Sequence, residues 1–170
     1  AEYVPQLSRH VAARALTTGA TCPSNLRLSL NVTPADLAAG NFAEEFAALL
    51  DETGFPPERL TLEITEQALL SDVERSAEEL AKLVELGVRV ALDDFGAGFC
   101  NFRYLKLLPL DYLKLDRSMV DGITSDPRDL AVLRAIVAMA RALDLEVIAE
   151  GIETEAQRDC IAAEGCAFYQ

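Results

Sequence analysis

Five short runs of alternating apolar and polar residues punctuate this chain: LRLSLNV (26–32), LTLEIT (60–65), VRVAL (88–92), YLKL (112–115) and LEVIA (145–149). Each is separated from the next by a segment with helix signals, except for the short, weakly specified connection at 100–108. Strand and helix in repeated alternation imply an α/β fold with a parallel sheet and helices outside it, because parallel neighbours need a crossover connection. Thr33-Pro34 and Ser125-Asp126-Pro127 read as a cap followed by a first-turn proline. Ser71 with Glu74, and Thr154 with Gln157, have capping-box spacing. Gly87 and Gly165 stand where left-handed helix stops belong. An amphipathic stretch at 3–16 reads as an N-terminal helix. Five units and part of a sixth fall short of the eight that a closed (β/α)8 barrel needs, which leaves an open sheet or a barrel missing pieces at both ends. No linker or repeat divides residues 1–170, so one domain is expected.

Residues two apart in a strand share a face, and this sharpens the reading. Leu26, Leu28 and Leu30 form one stripe and set Asn31 on the other face. By the same parity Glu63 opposes Leu60, Leu62 and Ile64, and Asp93 opposes Val88, Val90 and Leu92. Lys114 opposes Leu113 and Leu115, and Glu150 opposes Leu145, Val147 and Ala149. Every strand thus carries one polar residue near its carboxyl end, where parallel α/β proteins build active sites. Asp94 has the wrong parity to join them from within a strand. Gly96 and Gly98 are expected to turn the chain directly afterwards, which would swing its carboxylate over the same mouth. Two adjacent aspartates repel each other unless a cation or a proton stands between them.

Composition narrows the classes. A net charge of −13 argues against a groove for a nucleic-acid polymer, which would show a basic stripe. No apolar run approaches the roughly 18 residues of a membrane helix. Cys22, Cys100, Cys160 and Cys166 match no zinc spacing, so reduced thiols in a cytoplasmic protein are expected. With His10 as the one histidine, a bound metal would take oxygen ligands, favouring Mg²⁺ or Mn²⁺. Two such ions about 4 Å apart clamp the attacking and leaving oxygens of a phosphodiester.

The segments DDFGAGF and YLKLLPLDYLKLDRSMV, with SLNVT, LTLEITE and VIAEGIET in the same order, resemble the motifs of EAL domains. That resemblance runs the length of the chain. It implies a (β/α)8 TIM-type barrel that hydrolyses cyclic di-GMP to linear pGpG with two Mg²⁺ or Mn²⁺ ions. Carried over position by position, it implies metal ligands at Asn31, Glu63, Asp93 and Asp94, with Asn31 also near substrate. Lys114 would hold the attacking water, and Glu150 would serve the second metal or act as general base. Glu66 would anchor the loop after DDFG, with Gly96 and Gly98 in that loop. Glu153 would be a supporting acid, and Gln170 would lie at the barrel mouth. The resemblance further implies a homodimer and fusion to sensor or GGDEF domains, in the cytoplasm or on the cytoplasmic side of a membrane anchor.

The sequence departs from that pattern in places. It contains no Glu-Ala-Leu or Glu-Val-Leu tripeptide, whose glutamate the resemblance implies as a further metal ligand, and the pattern's first strand and closing segment are missing. The hydrolase is therefore expected only where the full protein supplies that glutamate. A sheet left uncovered in this way would expose a large apolar surface, so a fragment of a longer protein is expected. Ala97, Phe99 and Cys100-Asn101 replace residues more common in the family loop, and none of these changes removes a ligand. Cys100 is expected to be inert rather than redox-sensitive. Beside the hydrolase stand two alternatives, a degenerate domain that binds cyclic di-GMP without cleaving it and a protein-interaction scaffold.

Overall fold

The computed structural model describes residues 4–69, 72–97, 102–166 and 168–169. The chain divides into two compact units, one of Ala1–Val90 with Leu107–Pro109 and the other of Ala91–Lys106 with Leu110–Gln170. In the first, helix α1 (Val4–Ala20) leads to strand β1 (Leu28–Val32), a short helix α2 (Pro34–Ala38) and helix α3 (Phe42–Thr53). Strand β2 (Leu60–Thr65) and helix α4 (Val73–Glu85) follow, and strand β3 (Arg89–Phe95) starts here and continues into the second unit. There the order is a short helix α5 (Tyr104–Leu107), strand β4 (Tyr112–Leu115), helix α6 (Pro127–Ala142), strand β5 (Glu146–Ala149), helix α7 (Glu155–Glu164) and strand β6 (Phe168–Tyr169). Within the units, β1 pairs with β2, and β3 with β4, β4 with β5 and β5 with β6, always in parallel. Among the described residues no helix is long and apolar enough to cross a membrane.

The caps account for most helix boundaries. Thr33 forms a reciprocal box with Asp36, Thr154 does so with Gln157, and Asp126 caps α6 ahead of Pro127. Gly87 and Gly165 take the left-handed conformation at φ +100° and +87°. The box expected from Ser71 and Glu74 falls on Ser71, which lies outside the described residues; among the described ones, Asp72 caps α4, accepting from the Arg75 N–H at 3.0 Å. The first helix ends four residues later than the sequence suggests, at Ala20, and its Thr17 and Thr18 hydroxyls bond back to the carbonyls of Ala13 and Arg14. The first strand starts two residues later than expected, because the Leu26 N–H closes a turn onto Pro23. Arg59 donates to both the Leu26 and Pro23 carbonyls while lying over the Phe55 ring.

Alternation predicted one apolar stripe per strand, yet β2 and β4 are buried almost throughout, Thr61, Glu63 and Lys114 included. Parallel strands covered on both faces have this character. The core of the first unit gathers Leu16, Leu37, Phe55, Leu62, Ile64, Leu80 and Leu83; that of the second gathers Leu92, Leu113, Leu115, Val120, Leu133, Val147 and Ile161.

A buried carboxylate ties α3 to α4. Asn41, the residue before α3, makes no side-chain cap, and Glu79 of α4 takes that role by accepting from the Ala43 N–H at 2.9 Å. Lys82 holds the other carboxylate oxygen at 2.7 Å. Burial disfavours the ionised form of Glu79, but these bonds outweigh it and hold the carboxyl below its ordinary value. The folded state therefore gains stability above the usual glutamate pKa and loses it as pH falls through the depressed one. Glu79→Ala is expected to cost about 2 kcal/mol at pH 7, the penalty of an unsatisfied buried N–H. In thermal melts the gap between parent and variant should narrow as pH falls through the depressed Glu79 pKa.

Candidate active site at the carboxyl ends of the strands

The carboxyl ends of β3, β4 and β5 bring four of the expected residues together in the second unit. Lys114 points from β4 with only 4% of its surface exposed. Its ammonium lies 2.8 Å from Asp93 Oδ1 on β3 and 2.6 Å from Glu150 Oε1, one residue beyond β5. Burying an ammonium is costly unless carboxylates surround it, and here two do. The parity that set Asp93, Lys114 and Glu150 on one face thus corresponds to direct contact.

Asp94 reaches this cluster by a route that differs from the expected one. The strand does not end at Leu92. It runs on to Phe95 with a bulge, since Leu92 pairs with Leu113 and Phe95 with Leu115, three steps on β3 against two on β4. Asp94 itself takes the left-handed conformation, at φ +57°, before Gly96 at φ +100°. A short polar side chain tolerates that conformation better than most, and the extra residue of a bulge resets which face follows. The turn is therefore made at Asp94 and Gly96; Gly98 lies outside the described residues. Burial, with the nearby charges of Asp93 and Asp116, raises the Asp94 pKa above the ordinary aspartate value, and Lys114 only partly offsets this.

Asp116 is a member that sequence reasoning missed. It follows Lys114 by two positions, so the same parity would have found it had it been carried past the end of β4. Its N–H donates to the Phe95 carbonyl at 3.2 Å, and its carboxylate is held below the usual range by Ser118, whose N–H donates to it at 3.0 Å.

The first unit places the remaining predicted donors side by side. Asn31 and Glu63 are register partners on β1 and β2, Asn31 exposed and Glu63 buried. Glu66 opens the 3-10 turn Glu66–Leu69 directly after β2. The loop that Glu66 was expected to anchor lies largely outside the described residues, as do Gln170 and Cys100. Glu153 is exposed and pairs with Arg117 at 2.7 Å.

Among the described residues, no three or more His, Cys, Asp and Glu side chains stand close enough to hold a metal ion by themselves. The available donors are carboxylate and amide oxygens, which suit hard cations such as Mg²⁺ and Mn²⁺. The mutual repulsion of Asp93, Asp94 and Asp116 is what a divalent cation would relieve, so these residues fit one by their chemistry.

The solved phosphodiesterase PaMucR in complex with c-di-GMP superposes over 97% of this chain, and 73% of its own, with a TM-score of 0.88 and 32% identity. The architecture is accordingly of the TIM-barrel class. The family model described as "EAL domain" matches residues 1–170, and the chain belongs to that family. Two relatives from Pseudomonas aeruginosa, the cyclic di-GMP phosphodiesterases NbdA and RocR, are each 38% identical to it over 145 residues. Both alignments cover 85% of this chain, but only 18% of NbdA and 37% of RocR, so the chain spans a minor part of these relatives.

Proposed function

We propose that this chain is part of the catalytic EAL domain of a phosphodiesterase that hydrolyses cyclic di-GMP to linear pGpG, active where the full protein carries the Glu-Ala-Leu glutamate that these 170 residues do not contain. The observation that carries this reading is the Asp93–Lys114–Glu150 cluster, in a family two of whose members at 38% identity, NbdA and RocR, are cyclic di-GMP phosphodiesterases. Asn31, Glu63, Asp93 and Asp94 are assigned to two Mg²⁺ or Mn²⁺ ions, and Glu150 to the second of these or to proton transfer. When bound, the ions would neutralise the phosphate oxygens and acidify the attacking water. Lys114 donates hydrogen bonds to that water and adds positive charge beside it. A nearby carboxylate, Glu150 in this assignment, takes the proton as the oxygen–phosphorus bond forms. The bond from phosphorus to the 3′ oxygen breaks, and that oxygen leaves as a hydroxyl once protonated. A homodimer and attached sensor or GGDEF domains form part of the same proposal.

The test is turnover of cyclic di-GMP by the full gene product with Mn²⁺, beside an Asp93→Asn variant. The expected result is pGpG that falls in the variant by on the order of 10²-fold or more. Tight binding without product would overturn the hydrolase and leave a receptor for the nucleotide. Neither binding nor product would leave a scaffold.

A further inference from the structure

Two side chains in the segment after β4 have no part in the chemistry just described. Asp116 caps a single 3-10 turn, Arg117–Met119, and from that turn the two side chains reach in opposite directions. Met119 packs on Gly96, in the loop after β3: a Cβ added there would lie 2.7 Å from Met119 Cγ and 2.8 Å from its sulfur. Arg117 packs on Gly151, in the loop after β5, where an added Cβ would lie 2.7 Å from Arg117 Cγ and 2.8 Å from its Cβ. Both glycines have positive φ, +100° and +71°. Gly96 stands two residues after Asp94, and Gly151 directly follows Glu150. Beyond Gly151, Arg117 pairs with Glu153 at 2.7 Å and with Asp121 at 3.3 Å. The backbone is stitched on both sides of the same turn, Asp116 N–H to the Phe95 carbonyl and Glu150 N–H to the Leu115 carbonyl, each at 3.2 Å.

The geometry points to the Arg117–Met119 turn as a brace, in which Met119 and Arg117 are positioning residues that set Asp93 and Asp94 on one side, and Glu150 on the other, at fixed separations about Lys114. This rests on the proposed phosphodiesterase reading for its kinetic consequence. Both contacts are side chain against bare backbone, with no intervening Cβ to yield, so a displacement of the turn passes directly to the two loops. The carboxylates sharing one ammonium at 2.6 and 2.8 Å tolerate little such displacement, and misplacement by about 1 Å of a reacting geometry costs on the order of 10²-fold in rate. The exposed Arg117–Glu153 pair contributes little energy of its own. Its part is to hold the arginine stem against Gly151.

The test uses the full gene product with Met119→Ala, Arg117→Ala and the conservative Met119→Leu and Arg117→Lys. Three quantities are read: kcat against KM for cyclic di-GMP, Mn²⁺ binding followed by the EPR signal of free Mn²⁺, and thermal unfolding. The alanine variants are expected to lower kcat by about 10-fold or more with KM nearly unchanged, and to weaken Mn²⁺ binding. Met119→Leu restores the packed volume and should return kcat to near the parent value, as should Arg117→Lys, which keeps the stem. Gly151→Ala should cost less beside Arg117→Ala than alone, since the two sites are in contact. Folded alanine variants with parental kcat and Mn²⁺ affinity would overturn the brace. If they do not fold, Met119→Val and Arg117→Ser, which shorten each stem but keep part of its bulk, are read in the same way. A parent protein that binds Mn²⁺ but turns nothing over defeats the phosphodiesterase reading alone, and the brace is then judged on Mn²⁺ affinity. A parent that binds no Mn²⁺ overturns both.

Discussion

On the proposed function, Lys114→Met is expected to lower turnover of cyclic di-GMP by on the order of 10³-fold, yet to cost little stability once divalent cations are present. The two halves of this expectation have different causes. Lys114 is nearly enclosed and shares its ammonium between Asp93 and Glu150. Without it, two largely buried carboxylates face each other uncompensated. Removing one partner of a fully buried ion pair costs about 3–5 kcal/mol; with Asp93 and Glu150 partly exposed, about 2 kcal/mol is expected for the metal-free protein. A divalent cation supplies the missing positive charge, so Mn²⁺ should restore most of the lost melting temperature. It would not restore the rate, because in the proposed mechanism the ammonium itself donates hydrogen bonds to the attacking water. Thermal melts with and without Mn²⁺, beside steady-state kinetics, check both halves. A variant that Mn²⁺ returns to full activity would show that Lys114 serves only to balance charge.

The second large effect belongs to Asp94. Asp94→Asn and Asp94→Ala should both depress turnover by 10²-fold or more, on the order of losing one electrostatic contact to the reacting centre. Their stabilities should differ. The Asp94 pKa is raised in the folded protein by burial and by the charges of Asp93 and Asp116, so folding favours its protonated form. Its stabilising contribution is fully present below the ordinary aspartate value and disappears as pH rises through the raised one. At pH 7, without metal, the ionised side chain is a liability, and Asp94→Asn should melt above the parent. That gain should vanish on acidification, as the parent takes up its proton. Asparagine also accepts the left-handed backbone at φ +57°. Alanine accepts it at a cost of about 1–2 kcal/mol, so Asp94→Ala should melt below Asp94→Asn at every pH. Equal melting of the two variants would remove the backbone from this account.

What the chain's own residues determined was the one-dimensional part of the site. Period-two alternation placed Asn31, Glu63, Asp93, Lys114 and Glu150 on the polar parity of their strands. The register of Asn31 with Glu63 and the ion pairs of Lys114 agree with that placement. Local rules also sufficed for Thr33, Asp126, Thr154, Gly87 and Gly165, because a cap or a left-handed stop depends on a few consecutive residues. The motifs carried the family. Tertiary structure decided what depends on a neighbouring strand. Parity alone sets Asp94 on the wrong face, and only the mismatch between the three-residue step of β3 and the two-residue step of β4 creates the bulge that returns it. Asp116 lies past the end of its strand, where alternation makes no statement, and its place beside Asp94 follows from the bond between its N–H and the Phe95 carbonyl. Glu79 looks like one more surface acid of α4, until the Ala43 N–H of α3 appears opposite it. The contacts of Met119 with Gly96 and Arg117 with Gly151 join residues far apart in the chain. Such pairings are set by how the strands are stacked side by side, a long-range choice that no run of consecutive residues encodes.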